Sequence, residues 1–183
     1  MPTILTHAVV PLAVGICINA CLHHKPISSR LIATGMLAAI LPDADVVAFK
    51  FGIAYLDQFG HRGASHSLFF ALLLGLLIAI AAPFFRSSGA WVASFIGLAA
   101  SSHGLLDMCT NGGEGVALFW PFVHERLFFP WQVIEVSPIG LRKIFSARAI
   151  TVLMSEMLWV WLPLLLLTCC ILFSQNLRKN QVK

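Results

Sequence analysis

Charge is what this chain has least of. Asp, Glu, Lys and Arg make up 11% of its 183 residues, against about 25% in a typical soluble domain. That scarcity excludes a disordered chain, a coiled coil and an ordinary soluble enzyme. The net charge of +4 comes from scattered residues and is too thin for a nucleic-acid footprint, so no nucleic-acid partner is expected. A disulfide framework is also missing. The five cysteines, Cys17, Cys21, Cys109, Cys169 and Cys170, are odd in number and mostly sit inside apolar stretches. Cys17 and Cys21 can share a helix face, but they read better as small packing residues than as zinc ligands. No Lys or Arg precedes the first apolar run in MPTILTHAVV. A cleaved signal peptide is therefore not expected, and the first apolar segment is expected to stay as a helix. Internal repeats and low-complexity tracts are lacking too.

What is present is apolar surface. Hydrophobic residues reach 58%, and the mean hydropathy is +0.86. This is the composition of an integral membrane protein, and the length suits one domain. Five apolar stretches stand out: Ala8–Leu22, Leu31–Phe49, Leu68–Phe85, Gly89–Leu106 and Ile150–Phe173. A spanning helix needs about 20 residues, and the third and fifth stretches meet that requirement cleanly. Pro11 interrupts the first and Pro42 with two Asp the second, so these are expected to pack inside the bundle. The fourth is rich in Gly, Ala and Ser, which permits close helix approach.

The expected fold is all-α, a membrane bundle of about five helices (four to six). Residues 1–176 form one embedded domain, and 177–183 a basic, disordered tail. The long loop Met108–Arg148 carries LFWPF, FFPW and SPIG. It is expected to fold against the mouth of the bundle, with Trp120 and Trp131 as interfacial belt residues.

Placing the basic tail in the cytoplasm sets six of the 12 Lys and Arg inside and six outside, so charge gives weak sidedness. The expected placement is a multi-pass bacterial inner-membrane protein with its site on the extracytoplasmic face. A second result is independent of sidedness. His7 precedes the first span, Asp43 and Asp45 end the second, His61 and His66 precede the third, and His103 and Asp107 end the fourth. Alternating spans bring all seven to one membrane face.

Those seven residues suit a metal. His103 and Asp107 are i, i+4 on one helix face, a spacing that grips one ion. Asp43 and Asp45 in LPDAD, and His61 and His66 in HRGASH, add ligands from turns. An N/O set without cysteine fits one or two zinc ions, with manganese or iron as alternatives, in an open rather than structural site. Arg62, Ser65 and Ser67 lie among these ligands and either bind an oxyanion or leave Arg62 paired with Asp57 or a ligand carboxylate. Asn111, Gly112 and Gly113 read as a turn. His23, His24 and His124 read as interfacial or packing residues. Glu156 is expected to pair with Arg126, Arg142 or Arg148 rather than to carry protons.

His7, LPDAD, HRGASHS and HGLLD, followed by FFPWQVIEVSPIG and SEMLWVWLP, resemble the YdjM-type, LexA-regulated, membrane-bound metal-dependent hydrolases of bacteria. The resemblance covers most of the chain. It implies a distant relation to zinc-dependent phospholipase C and the single-strand-specific zinc nucleases, whose helix-borne ligand pairs match His103 and Asp107 here. The expected activity is therefore hydrolysis by a zinc-activated water. Asp43 or Asp45 would take the proton and Arg62 would steady the oxyanion. An interfacial site beside an aromatic loop implies a phosphoester of a lipid or lipid-linked substrate. The alternatives are a divalent-metal transporter or sensor, and a membrane scaffold held by a structural metal.

Overall fold

The computed structural model describes residues 1–137 and 147–181, and every regular element among them is helical. In chain order these are α1 (Ile4–Cys21), α2 (Ser29–Ile40), α3 (Leu68–Ala79), α4 (Ala82–Phe85), α5 (Gly89–Met108), α6 (Ala147–Glu156) and α7 (Leu162–Gln181). A 3-10 segment, Leu41–Phe51, continues α2, and a π-helical turn, Met157–Trp161, joins α6 to α7. Serine side chains start three of the helices. Ser28, Ser67 and Ser88 accept from the backbone N–H of Leu31, Phe70 and Trp91. Each satisfies a donor that the end of an apolar helix would otherwise leave bare.

Among the described residues, four helical stretches are long and apolar enough to cross a membrane: Ile4–Cys21, Ser29–Phe51, Gly89–Met108 and Arg148–Asn180. Two expectations change. Pro11 lies inside an unbroken α1, and Pro42 occupies the first turn of the 3-10 segment, so neither shortens its span. The ring of Pro42 stands where the missing N–H matters least. The third stretch, in contrast, is not one helix. It stops at Ala79 and resumes as the short α4, whose first turn holds Pro83. α7 runs through Gln181, so residues 177–181 are helical rather than frayed. Leu, Arg, Lys and Gln are good helix formers, and Arg178 and Lys179 complement the helix dipole in the last turn.

The core gathers on α5, where Val92, Phe95 and Ile96 pack with Ile27, Leu31, Ala38 and Phe85. α3 lies against α5 so closely that a Cβ on Gly75 would sit 2.5 Å from the carbonyl oxygen of Ala93. α7 packs along α1 and runs parallel to it. Trp161 donates to Thr6 at one end, and Gln175 reaches Cys21 at the other. Its remaining surface of Leu165, Leu166 and Phe173 is exposed, as a lipid-facing helix requires.

The loop after α5 folds back as expected. Leu68 N–H donates to Leu118, Ala117 N–H to Arg62, and Phe129 N–H to Met108. Val116, Ala117, Leu118 and Ile134 of this loop are buried, while Trp131 is exposed and Trp120 half-buried. Most of the SPIG motif, Arg142 and Lys143 lie outside the described residues.

Candidate metal centre

His7 sits in the first turns of α1. Asp43 and Asp45 ride on the 3-10 segment, and His61 and Arg62 on the following turn. His66 immediately precedes α3, and His103 and Asp107 occupy the last turns of α5. All eight therefore meet at one end of the bundle. Gly104 makes the meeting close. A Cβ there would lie 2.6 Å from the carbonyl oxygen of His66. Only a glycine between His103 and Asp107 lets the α3 entry approach α5 so nearly.

The four side chains of Asp43, His66, His103 and Asp107 each offer one ligand atom within 4.8 Å of the others. His103 Nδ1 lies 2.7 Å from the Ala39 carbonyl, which only accepts. Its proton is therefore on Nδ1, and Nε2 presents a lone pair. His66 is held in the same sense. Its Nδ1 lies 3.2 Å from Asp45 Oδ2, and Nε2 points the other way, 3.0 Å from His103 Nε2. With both Nδ1 atoms protonated, two Nε2 lone pairs facing one another at this distance call for a cation between or beside them, either a proton or a metal.

The spacing fits a metal. Ligand bonds of about 2.0–2.1 Å place tetrahedral donors about 3.3 Å apart. Here His103 Nε2 is 3.3 Å from Asp43 Oδ1, and His66 Nε2 is 3.6 Å from Asp107 Oδ2 and 3.7 Å from Asp43 Oδ1. Both oxygens of Asp43 and both of Asp107 are buried without a hydrogen-bond partner. Burying such groups unsatisfied costs about 1–3 kcal/mol each, more when charged. The donor set is two imidazoles and two carboxylates, suited to zinc, manganese or iron.

Asp45 and His61 are arranged differently. Asp45 meets His61 Nδ1 at 2.6 Å, Ser65 Oγ at 2.7 Å, Arg62 N–H at 3.2 Å and His66 Nδ1 at 3.2 Å. Together with His66 these two residues also form a compact ligand-type group. The lone pairs of Asp45 are already spent on protein donors, however, whereas Asp43 accepts no hydrogen bond and Asp107 faces only the charge of Arg62. Asp45 is thus an orienting carboxylate behind His66 rather than a free base. The hydroxyls expected at an oxyanion are also engaged. Ser65 donates to Asp45, and Ser67 donates to the Ala64 carbonyl.

Arg62 decides between its two sequence readings. It is fully buried, with Nε 2.9 Å from Asp107 Oδ2 but off the N–H axis, a charge contact rather than an aligned hydrogen bond. Its Nη1 donates to the Gly112 carbonyl and Nη2 to Thr110 Oγ1. The guanidinium pairs with a ligand carboxylate and is not presented to a substrate anion. Its backbone is left-handed, φ 63°, held by the N–H to Asp45 and by Ala117 N–H on its carbonyl. That conformation costs about 1–2 kcal/mol in a residue with a Cβ.

Glu156 also departs from expectation. Arg126 spends its guanidinium on the carbonyls of Tyr55, Asp57 and His61. The buried carboxylate of Glu156 instead accepts from Thr3 N–H at 2.5 Å, Thr3 Oγ1 at 2.6 Å and Thr6 Oγ1 at 2.6 Å. It caps α1 from another helix, a charge placed at the positive end of a dipole. Sequence spacing gives no sign of Ala39, Gly104 or this brace.

Comparison with known proteins agrees with this architecture. Residues 1–180 match the family model described as YdjM inner membrane protein. The chain is 46% identical over 168 residues to the inner membrane protein YbcI of Escherichia coli (strain K12), covering 91% of this chain and 95% of that one. No solved structure matches.

Proposed function

For a chain that belongs to the YdjM inner membrane protein family, we propose a metal-dependent hydrolase acting on a phosphoester of a lipid or lipid-linked substrate. The observation that carries the metal is the facing Nε2 pair of His66 and His103, closed off by two carboxylates that accept no hydrogen bond. The chemistry such a site gains from a divalent cation is Lewis acidity and a water whose pKa falls toward about 7. Asp45 and the Ala39 carbonyl fix the tautomers of His66 and His103, so both Nε2 lone pairs are ready for the ion. Arg62 fixes the rotamer of Asp107. Asp43 keeps Oδ2 without a partner and is the carboxylate that takes the proton.

A cavity of about 370 Å³ supports the lipid substrate. Phe59, Phe69, Phe70, Leu73 and Trp120 line it, and it reaches Asp45 and Ser65 behind the ligands. The helix directions support an extracytoplasmic site. α7 begins at the ligand end and carries Arg178 and Lys179 at the other, so a tail placed in the cytoplasm puts the ligands on the opposite face.

One observation favours a second reading. His66, His103 and Asp107 are almost wholly buried, as ligands of a structural metal are. A transporter is less favoured, because the ligands gather at one end rather than at the midplane. The test uses detergent-purified protein, stripped and then reloaded with zinc or manganese. Release of phosphate or headgroup from phosphoesters and phospholipids, lost on chelation and restored by metal, supports the hydrolase. Thermal stabilisation by metal with no turnover on any of these substrates sinks it in favour of the scaffold.

A further inference from the structure

The end of the bundle away from the ligands carries charge of one sign. Lys25, Arg30, Arg86, Arg178 and Lys179 stand there, all exposed, and none belongs to an ion pair among the described residues. All eight acidic residues lie at the other end: three in the centre, Asp57 in the turn before His61, three on the loop after α5, and Glu156 against the start of α1. The 20 residues of α5 hold the two ends about 30 Å apart.

These cations sit on a built surface. Loop 22–28 is pinned by Asn19, which donates to the Ile27 carbonyl at 2.6 Å and accepts the Ile27 N–H at 3.0 Å. Ser87 Oγ donates to the Pro26 carbonyl and so ties this loop to the turn at 84–88. Arg30 adds a second tie. It donates to the Phe84 carbonyl at 3.2 Å and lays its guanidinium over the Phe84 ring at 4.8 Å. Lys25 and Arg86 both hold a left-handed backbone, φ 42° and 53°. Glycine adopts that conformation freely and a residue with a Cβ does not, so each position keeps a cation against its backbone preference. α2 and α5 both begin here, at Ser29 and Gly89, and run in the same direction, since Ala39 meets His103 at the far end. Their positive dipole ends and first-turn N–H groups add to the field of the side chains.

We propose that this end seats the headgroup phosphate of an anionic phospholipid, with Lys25, Arg30 and Arg86 around it and Arg178 and Lys179 extending the positive surface. Depth favours a lipid over a soluble polyanion. Each of the five cations lies within four residues of the end of a span, which is headgroup level. Clusters of about four to eight Lys and Arg at that level attract anionic lipid. Exposed Phe84 and half-buried Trp91 supply the aromatic surface usual at the same depth. The seat is independent of the metal centre and of any activity there.

The test offers phosphatidylglycerol, phosphatidylcholine, inorganic phosphate or polyglutamate to the detergent-purified full chain, read by native mass spectrometry and thermal unfolding. Phosphatidylglycerol should bind about 10-fold more tightly than phosphatidylcholine or better, and high salt should erase the difference. Lys25→Gly combined with Arg86→Gly removes two cations while relieving the backbone. This variant should fold and take up zinc as the wild type does, yet lose the preference by about 10-fold. Equal binding of the two lipids overturns the proposal. So does a preference that the double variant retains in full. Polyglutamate that binds as tightly as phosphatidylglycerol overturns it in favour of an acidic macromolecule. Inorganic phosphate that displaces the lipid at equal concentration overturns it in favour of a free anion. Should the glycine variant fail to fold, Arg30→Gln supplies the variant, and the wild-type comparison of the two lipids still decides.

Discussion

His66 and His103 turn their Nε2 atoms toward each other at 3.0 Å, with both Nδ1 atoms committed elsewhere. Each ring is locked from behind, one by a carboxylate and one by a helix carbonyl. The pair is therefore preorganised for a cation, and most of the expectations below follow from that lock.

Asp45→Asn removes the charge behind His66 without removing a ligand of the four-residue set. Metal affinity should fall by about 10–100-fold, the usual effect of losing an orienting partner. A competition titration against a zinc chelator measures it. Unchanged affinity would mean that Asp45 has no part in holding His66.

The metal-free protein should bind a proton where the metal goes. Burial alone would lower the pKa of His66, but the neighbouring carboxylates of Asp43, Asp45 and Asp107 outweigh it and push the imidazole up to about 9 from 6.5. A raised pKa stabilises the fold fully below about 6.5, and that contribution is lost as pH rises through about 9. Stripped protein should lose stability across that window, and metal-loaded protein should not. Calorimetry in buffers of different ionisation heat should show a proton released when metal binds at pH 7.5.

Arg62→Gln should destabilise the fold rather than merely slow turnover. It strips the partner from a buried carboxylate, a loss of about 3–5 kcal/mol. Thermal unfolding of the metal-free variant is the readout. A variant as stable as wild type but weak in substrate binding would instead return Arg62 to the oxyanion role.

Gly104→Ala places a methyl against the His66 carbonyl, 2.6 Å from it. That contact is with backbone, so α5 and the entry to α3 must part. A loss of about 1–3 kcal/mol is expected, together with weaker metal binding. Gly97→Ala is the control on the same helix, because its Cβ would meet Ala71 O at an ordinary 3.5 Å.

Glu156→Ala should lower stability by about 1–3 kcal/mol without changing the metal stoichiometry. The carboxylate serves Thr3 and Thr6, not an ion. Loss of metal in this variant would show that the brace and the centre are one unit.

The helical membrane architecture was legible because apolar runs and sparse charge are properties of the chain itself. So was the convergence of His7, Asp43, Asp45, His61, His66, His103 and Asp107 at one end, since alternating spans fix it. The division of labour among them was not. LPDAD offers two similar carboxylates, and only the fold shows that Asp45 is surrounded by four donors while Asp43 is bare. Arg62 was ambiguous because a guanidinium among ligands serves a substrate or a carboxylate equally well until its burial is known. Glu156 lies 150 residues from Thr6, its partner at the start of α1, beyond any local pattern. The break after Ala79 followed from Pro83, which an apolar count overlooks.

The most direct measurement is elemental analysis of detergent-purified protein, wild type beside His103→Ala. Zinc, manganese or iron should accompany the wild type at one equivalent or more and be missing from the variant. A wild type that holds no transition metal, even after zinc and manganese are offered, would contradict the metal centre. The facing histidines would then be bridged by a proton alone.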